Sequence, residues 1–168
     1  MAALIRQRRV ATDSWQRLDA GATAADVPGA GPVIVPLALW HERRDALVER
    51  GGIGVWLEPS DDPATLADDL ASLPLVEVRF PKFSDGRGYS IGWLLRSRYA
   101  FAGELRATGD VGRDALLGLE RCGFDAFVLR EGEDPERALA AFGELTEAYQ
   151  GTATEPRPLF RRRLATAG

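Results

Sequence analysis

The feature that most constrains this fold is an alternation of short apolar runs with amphipathic stretches, repeated five times with short connections. Each apolar run has the length of one β-strand, and the stretch after it is typical of a helix. Five such units predict a mainly parallel sheet covered by helices. The predicted strands are 32–40, 52–59, 75–81, 103–109 and 124–130.

This pattern predicts an α/β fold whose sheet has about five strands. Two arrangements satisfy it, an open three-layer sheet and a partial barrel, and the sequence does not order the strands. Right-handed crossovers place the loops that follow the strands at one edge of the sheet. Ligands bind at that edge in both arrangements, so a candidate site is sought in the strand-to-helix loops.

Capping residues mark the predicted helix ends. Glycine favours the end of a helix, while aspartate, serine or an Asp-Pro pair favours its start. The first helix, 41–50, ends at Gly51-Gly52. The others are expected to begin at Asp62-Pro63, about Ser90, Asp110 or Thr108, and Asp134-Pro135.

The chain divides into three predicted segments. Residues 1–31 are an N-terminal extension, in which LIRQRRV and SWQRLDA could pair as an edge hairpin before an Ala-, Gly- and Pro-rich linker. Residues 32–150 form the α/β domain. Residues 151–168 are predicted to be a flexible basic tail containing Arg161–Arg163, either a solvated terminus or a docking peptide for an acidic partner.

Composition excludes several classes of function. The formal net charge is −4, which argues against a general nucleic-acid-binding surface. No apolar run approaches the roughly 18 residues that indicate a membrane span. The first 15 residues lack the apolar region of a secretory signal. We therefore expect a cytoplasmic protein that binds neither nucleic acid nor membrane.

The scarcity of cysteine and histidine limits the chemistry further. The sequence has one of each, Cys122 and His41. Zinc and iron–sulfur sites need about four such ligands, so this chain alone is expected to hold neither. A Cys–His catalytic pair is disfavoured because Cys122 lies at a helix end, a common packing position. The cofactor, if there is one, is unknown from sequence.

The segment FPKFSDGRGYS, Phe80–Ser90, is the most informative loop because it joins a predicted strand to a helix. Two cations, flexible glycines and a helix N-terminus would together suit a small oxyanion. The alternative is an ordinary tight turn that an Asp85–Arg87 pair locks. The candidate binding residues in this loop are Lys82, Asp85, Arg87, Tyr89 and Ser90.

A second polar cluster follows in GELRATGD. Glu104 and Arg106 are two residues apart on a predicted strand, so both point to the same face. One interpretation is an internal ion pair that braces the sheet. The other is a polar rim in which Asp110 faces the Phe80–Ser90 loop. All three residues are candidates for ligand or partner binding, although Asp110 also suits a helix cap.

These two segments resemble a bacterial family of unknown function. FPKFSDGRGYSIGWLLR and GELRATGDVGRDALLGLERCGFDAFVL are similar to segments of its members, which carry F-x-F-x-DGRGYS and GELRA-x-GDV motifs. Members are often described as oxidoreductases and are commonly encoded beside the assimilatory sulfite reductase. The resemblance implies a role in sulfate assimilation but carries no catalytic assignment. Gly92 and Gly112 depart from it, since stronger helix formers are expected there.

Three hypotheses remain open at this point. The first is an accessory protein of sulfite reduction that docks to the reductase or its electron donor. The second is a small-molecule enzyme or binding domain with an oxyanion site at the Phe80–Ser90 loop. The third is a structural domain in which that loop binds nothing. The sequence therefore leaves open whether the protein is an enzyme.

Overall fold

The computed structural model describes residues 2–143, and these contain eight short strands and four α-helices. The strands are β1 (Leu4–Arg6), β2 (Arg9–Ala11), β3 (Gln16–Arg17), β4 (Val33–Pro36), β5 (Ile53–Leu57), β6 (Leu75–Phe80), β7 (Glu104–Gly109) and β8 (Ala126–Val128). The helices are α1 (Leu37–Arg50), α2 (Gly86–Ser97), α3 (Leu116–Arg121) and α4 (Pro135–Ala140).

All eight strands belong to one sheet in the order β2-β1-β8-β7-β6-β5-β4-β3. Strands β3 to β8 are parallel and adjacent in chain order, while β1 pairs antiparallel with both β8 and β2. The predicted mainly parallel α/β fold is therefore confirmed, and the count of five strands is wrong. The three additional strands have two or three residues each, too few to produce an apolar pattern.

The sheet is curled into a half-barrel, and a short connection shows why it cannot be flat. Strands β2 and β3 lie at opposite edges, yet only residues 12–15 join them. Eight flat strands would span about 34 Å. The five Cα–Cα steps from Ala11 to Gln16 reach at most about 18 Å. We call residues 12–15 the strap, because it holds the two edges together.

The strap side of the sheet differs from the helix side. On the outer face, strand residues such as Val55 and Val78 pack with helix residues such as Leu39 and Leu95 in the main apolar core. On the inner face, a smaller cluster joins Ile34, Trp56 and Leu75 to Trp15 of the strap. Parallel strands thus bury both faces, the outer one under helices and the inner one under the strap.

Several predicted boundaries are corrected. The first strand ends at Pro36, and α1 begins at Leu37 instead of His41. Trp40, assigned to a strand from its apolar surroundings, lies in α1 and donates its indole N–H to Asp69 at 2.8 Å. The helix expected after Asp62 is two 3₁₀ turns, Pro63–Leu66 and Leu70–Ser72.

The N-terminal strands also pair differently from the prediction. The hairpin forms within LIRQRRVA, between β1 and β2, because Gln7 and Arg8 adopt positive φ and turn the chain. The segment SWQRLDA instead contributes β3 at the opposite edge. The end of the last predicted helix and the basic tail 151–168 lie outside the described residues. Among residues 2–143, no helix has the length and apolarity to cross a membrane.

Candidate functional site

The two sequence motifs meet where β6 and β7 end. Phe80 and Gly109 are register partners in the parallel pair. The carbonyl oxygen of Phe80 accepts a hydrogen bond from the N–H of Asp110 at 2.7 Å. Gly109 has a φ of +100°, and a Cβ there would overlap this carbonyl group. Glycine therefore lets the two strand ends approach closely. We call this region, from Phe80 to Ser90 together with Asp110, the loop edge.

Asp85 and Arg87 form a self-contained turn at the loop edge. The Asp85 carboxylate accepts from the Arg87 backbone N–H at 3.2 Å and caps α2. It also accepts from Arg87 Nε and Nη2, at 3.0 and 2.8 Å. The Arg87 guanidinium lowers the pKa of Asp85. The helix N-terminus thus already holds a carboxylate, the kind of anion that a ligand would bring.

Phe83 lies in the same loop with its backbone fixed and its ring in solvent. Its N–H donates to Asp110 Oδ2 at 3.1 Å, and its carbonyl accepts from the Tyr89 hydroxyl at 3.3 Å. The ring of Tyr89 packs edge-on against Phe80, 5.3 Å between centroids. Phe83 itself is 57% exposed, the most of any large apolar residue in the described part of the chain.

Two other candidates in this loop have smaller roles than predicted. Ser90 was expected to cap the helix, but α2 begins four residues earlier because Asp85 takes the capping position. The Ser90 hydroxyl instead donates back to the Gly86 carbonyl at 3.2 Å. Lys82 is exposed, and its ammonium group has no hydrogen bond or ion pair to any described residue.

Asp110 connects the loop edge to the end of the next strand. Its second carboxylate oxygen accepts from Arg130 Nη1 at 2.9 Å, and Arg130 also bonds Glu133. The hydrogen bond from Arg130, followed by that from the Phe83 N–H, lowers the pKa of Asp110. The carboxylate stays ionised at neutral pH and has two donors, so it holds the loop and is poorly suited to act as a base.

Glu104 and Arg106 do not lie at the loop edge. They are on the inner face, about 13–20 Å along β7 from Asp110. Glu104 Oε1 accepts from Arg106 Nε and Nη2 at 2.9 and 2.8 Å, and Glu104 also pairs with Arg6. The structure therefore separates the eight candidates into six at the loop edge and an ion pair inside the half-barrel.

The inner face contains ionisable groups that the sequence-based prediction missed. Glu77 is 1% exposed and lies opposite Arg106 in register. Its carboxylate accepts from Arg17 Nε at 2.5 Å, and the Arg17 guanidinium stacks on Trp56 at 4.0 Å. Burial raises the pKa of Glu77, although Arg17 and Arg106 oppose that rise. The sequence contains a pattern that could have indicated these groups, because Glu77 and Arg79 are charged residues at alternate positions of an otherwise apolar strand.

The glycines of α2 explain how this short helix packs so close to the sheet. A Cβ at Gly88 would overlap the ring of Phe80, and one at Gly92 would overlap the ring of Phe124. At Gly92 the sequence predicts a stronger helix former. The structure shows that it provides space for an aromatic ring, which offsets the low helix propensity of glycine.

The cysteine and histidine are not combined into a site. Cys122 is half-buried at the end of α3, and burial raises the pKa of its thiol, which disfavours the nucleophilic thiolate. His41 is exposed on α1. Within residues 2–143, no group of three or more histidine, cysteine and carboxylate side chains is arranged to hold a metal ion.

Both sequence motifs lie within a region that matches a known protein family. A model described as a bacterial protein of unknown function, DUF934, matches residues 54–160, more than half of the chain. The chain belongs to the DUF934 family. The expectation of a bacterial family of unknown function is thus confirmed. In this DUF934 protein the matched region holds the whole loop edge, while the strap precedes it. No curated protein matches the chain.

Proposed function

We propose that this DUF934 protein is an accessory protein of assimilatory sulfate and sulfite reduction, which docks to the reductase or to its electron donor through the loop edge. The observation that carries the docking role is Phe83, an exposed aromatic ring on a backbone held at both its N–H and its carbonyl. Sulfur assimilation is the context implied by the resemblance of the DGRGYS and GELRATGDV motifs.

A rigid exposed aromatic residue favours protein docking. Aromatic side chains dominate binding energy at protein interfaces, since they bury a large area with few rotatable bonds. Binding also costs less when the binding segment is already ordered. Phe83 has both properties, and Lys82 beside it adds an exposed positive charge.

The ion pairs of the loop edge favour docking over capture of a small anion. Arg87 is occupied by Asp85, and Arg130 is occupied by Asp110 and Glu133. An incoming oxyanion would have to compete with these carboxylates. A protein surface can instead pack on the ring of Phe83 while these pairs stay at the rim of the interface, where they contribute little binding energy.

The test is recovery of a sulfite reductase or its electron donor with the tagged protein from cells grown on sulfate. We expect Phe83→Ala to reduce recovery about tenfold or more, as loss of an interface aromatic does. Val48→Ala is the matched control, since Val48 is an exposed apolar residue on α1. Recovery of no sulfur-assimilation enzyme, or equal loss with both variants, would overturn the proposal.

The oxyanion site remains the second candidate because two cations at the loop edge are accessible. The Arg87 side chain is 65% exposed, and Lys82 is unpaired among the described residues. On this proposal, sulfite, sulfate or phosphate raises the unfolding temperature, and Arg87→Ala abolishes the rise. Binding at 100 times the dissociation constant would add about 2.7 kcal/mol to the free energy of unfolding. No response to any of these anions excludes it.

A further inference from the structure

The starting point is Arg106, whose side chain is 1% exposed on the inner face of the half-barrel. Glu104, two residues away on the same strand, binds its Nε and Nη2. The remaining terminal nitrogen, Nη1, donates to Asp13 Oδ2 at 2.9 Å. One anionic partner thus belongs to the sheet, and the other comes from the strap.

Asp13 differs from Glu104, the other acid that binds Arg106, because it is not part of a strand. It lies between two strands at opposite edges of the sheet and belongs to neither of them. Its side chain is 36% exposed, and its Oδ1 accepts from the Trp15 N–H at 3.1 Å. The Asp13–Arg106 pair is therefore buried at the guanidinium and open to solvent at the carboxylate.

A second arginine on the inner face has a donor to spare. Arg17 Nη2 is buried and has no hydrogen-bond partner among the described residues, although Nε of the same group binds Glu77. A buried N–H without an acceptor destabilises the protein that contains it. Arg17 also lines an open groove of about 470 Å³, together with Asp19 and Asp26, and its side chain as a whole is 30% exposed to solvent.

We propose that the inner face beside Arg106 is a binding site for a small organic carboxylate, and that Asp13 of the strap occupies this site when no ligand is bound. The incoming carboxylate replaces Asp13 on Arg106 Nη1, and the spare donor of Arg17 is available to its second oxygen. Guanidinium groups match the two oxygens of a carboxylate, so the replacement conserves the chemistry of the contact.

The strap suits this exchange because it connects strands and takes no part in the sheet hydrogen bonds. Releasing Asp13 breaks no pairing between strands, whereas moving Glu104 would disturb β7. The rest of the inner face is filled by Trp15, Trp56 and Leu75, which limits the ligand to a small molecule. This site is separate from the loop edge and does not depend on the docking proposal.

The experiment uses formate as the probe, with chloride at equal ionic strength as the control for screening. In the full-length protein, Asp13→Ala removes the internal carboxylate that competes for Arg106, so formate should bind at least about tenfold more tightly than to the wild type. Binding is measured by titration of amide resonances and by the unfolding temperature. Adding Arg17→Met should weaken formate binding to Asp13→Ala.

Two further variants keep the test decisive. Asp13→Asn preserves the shape of the strap if the alanine variant does not fold, and it should also bind formate more tightly than the wild type. Glu58→Ala removes a carboxylate from Arg79, a solvent-exposed pair at 2.8 Å, and should bind formate no better than the wild type. Equal gains in Glu58→Ala and the Asp13 variants, or no gain over chloride in the Asp13 variants, would overturn the proposal.

Discussion

The carboxylate of Asp110 accepts a hydrogen bond from the backbone N–H of Phe83 at 3.1 Å, which ties the β7 motif to the loop after β6. This contact links residues 27 positions apart and, together with the hydrogen bond from the Tyr89 hydroxyl, holds the backbone that carries the exposed Phe83 ring. The two motifs therefore act as one structural unit.

Removing the Asp110 carboxylate should loosen the loop without unfolding the protein. In Asp110→Ala the Phe83 N–H loses its acceptor, while Arg130 keeps Glu133. We expect faster hydrogen exchange at the Phe83 amide, with the core strands unchanged. Asp114→Ala, a nearby exposed acid, is the control. Unchanged exchange at Phe83 would mean that Asp110 does not hold the loop.

Alanine at Gly92 should destabilise the protein although alanine is the better helix former. A Cβ at this position overlaps the Phe124 ring, and crowding of this kind costs about 1–3 kcal/mol. In Gly118→Ala the new Cβ would lie 3.5 Å from Tyr89, an ordinary contact, so helix propensity should stabilise by up to about 1 kcal/mol. Denaturant unfolding measures both, and the same sign for both contradicts the prediction.

Glu77 should make the free energy of unfolding depend on pH in the direction opposite to that expected for a carboxylate in an exposed ion pair. Burial raises its pKa in the folded protein above the ordinary value of 4.5, so the folded state retains the proton longer than the unfolded state. Its contribution to stability is therefore greatest below pH 4.5 and falls as pH rises through the folded pKa.

The test compares the wild type with Glu77→Gln, which cannot titrate. The free energy of unfolding of the wild type, relative to the variant, should decrease as pH rises above about 4.5. Glu58→Gln provides a matched control at a solvent-exposed pair with Arg79. A relative stability that rises with pH would show that Arg17 and Arg106 outweigh the effect of burial.

Truncating Trp15 should weaken the closure of the half-barrel. Its side chain is the part of the strap that packs with Ile34, Trp56 and Leu75. Because it is only partly buried, Trp15→Ala should cost about 2 kcal/mol, less than full burial of an aromatic residue would imply. Trp93→Ala, at a position on α2 that is 38% exposed, should cost less than Trp15→Ala. Equal losses would show that the strap contributes no special stability.

Much of the outer layer was predictable because it depends on local pattern. The apolar runs that became β4 to β8 were recognised, and the Asp62 and Asp134 side chains cap as predicted, accepting from Ala64 and Glu136. The helix starts were less predictable. Asp85 and Ser90 are both good capping residues; in the structure Asp85 caps α2, and the earlier start places Gly88 against the Phe80 ring.

The sequence by itself determined the alternation of strands and helices and the meeting of two motifs at one sheet edge. The periodicity of apolar residues and the length of the connections between strands are local properties, so they can be recognised from the sequence of a single protein. Only the tertiary structure decided that the sheet curls, that residues 12–15 join its edges, and that Asp13, Glu77 and Arg106 share one interior. These contacts join residues up to 93 positions apart, and no local pattern specifies which distant charges will pair.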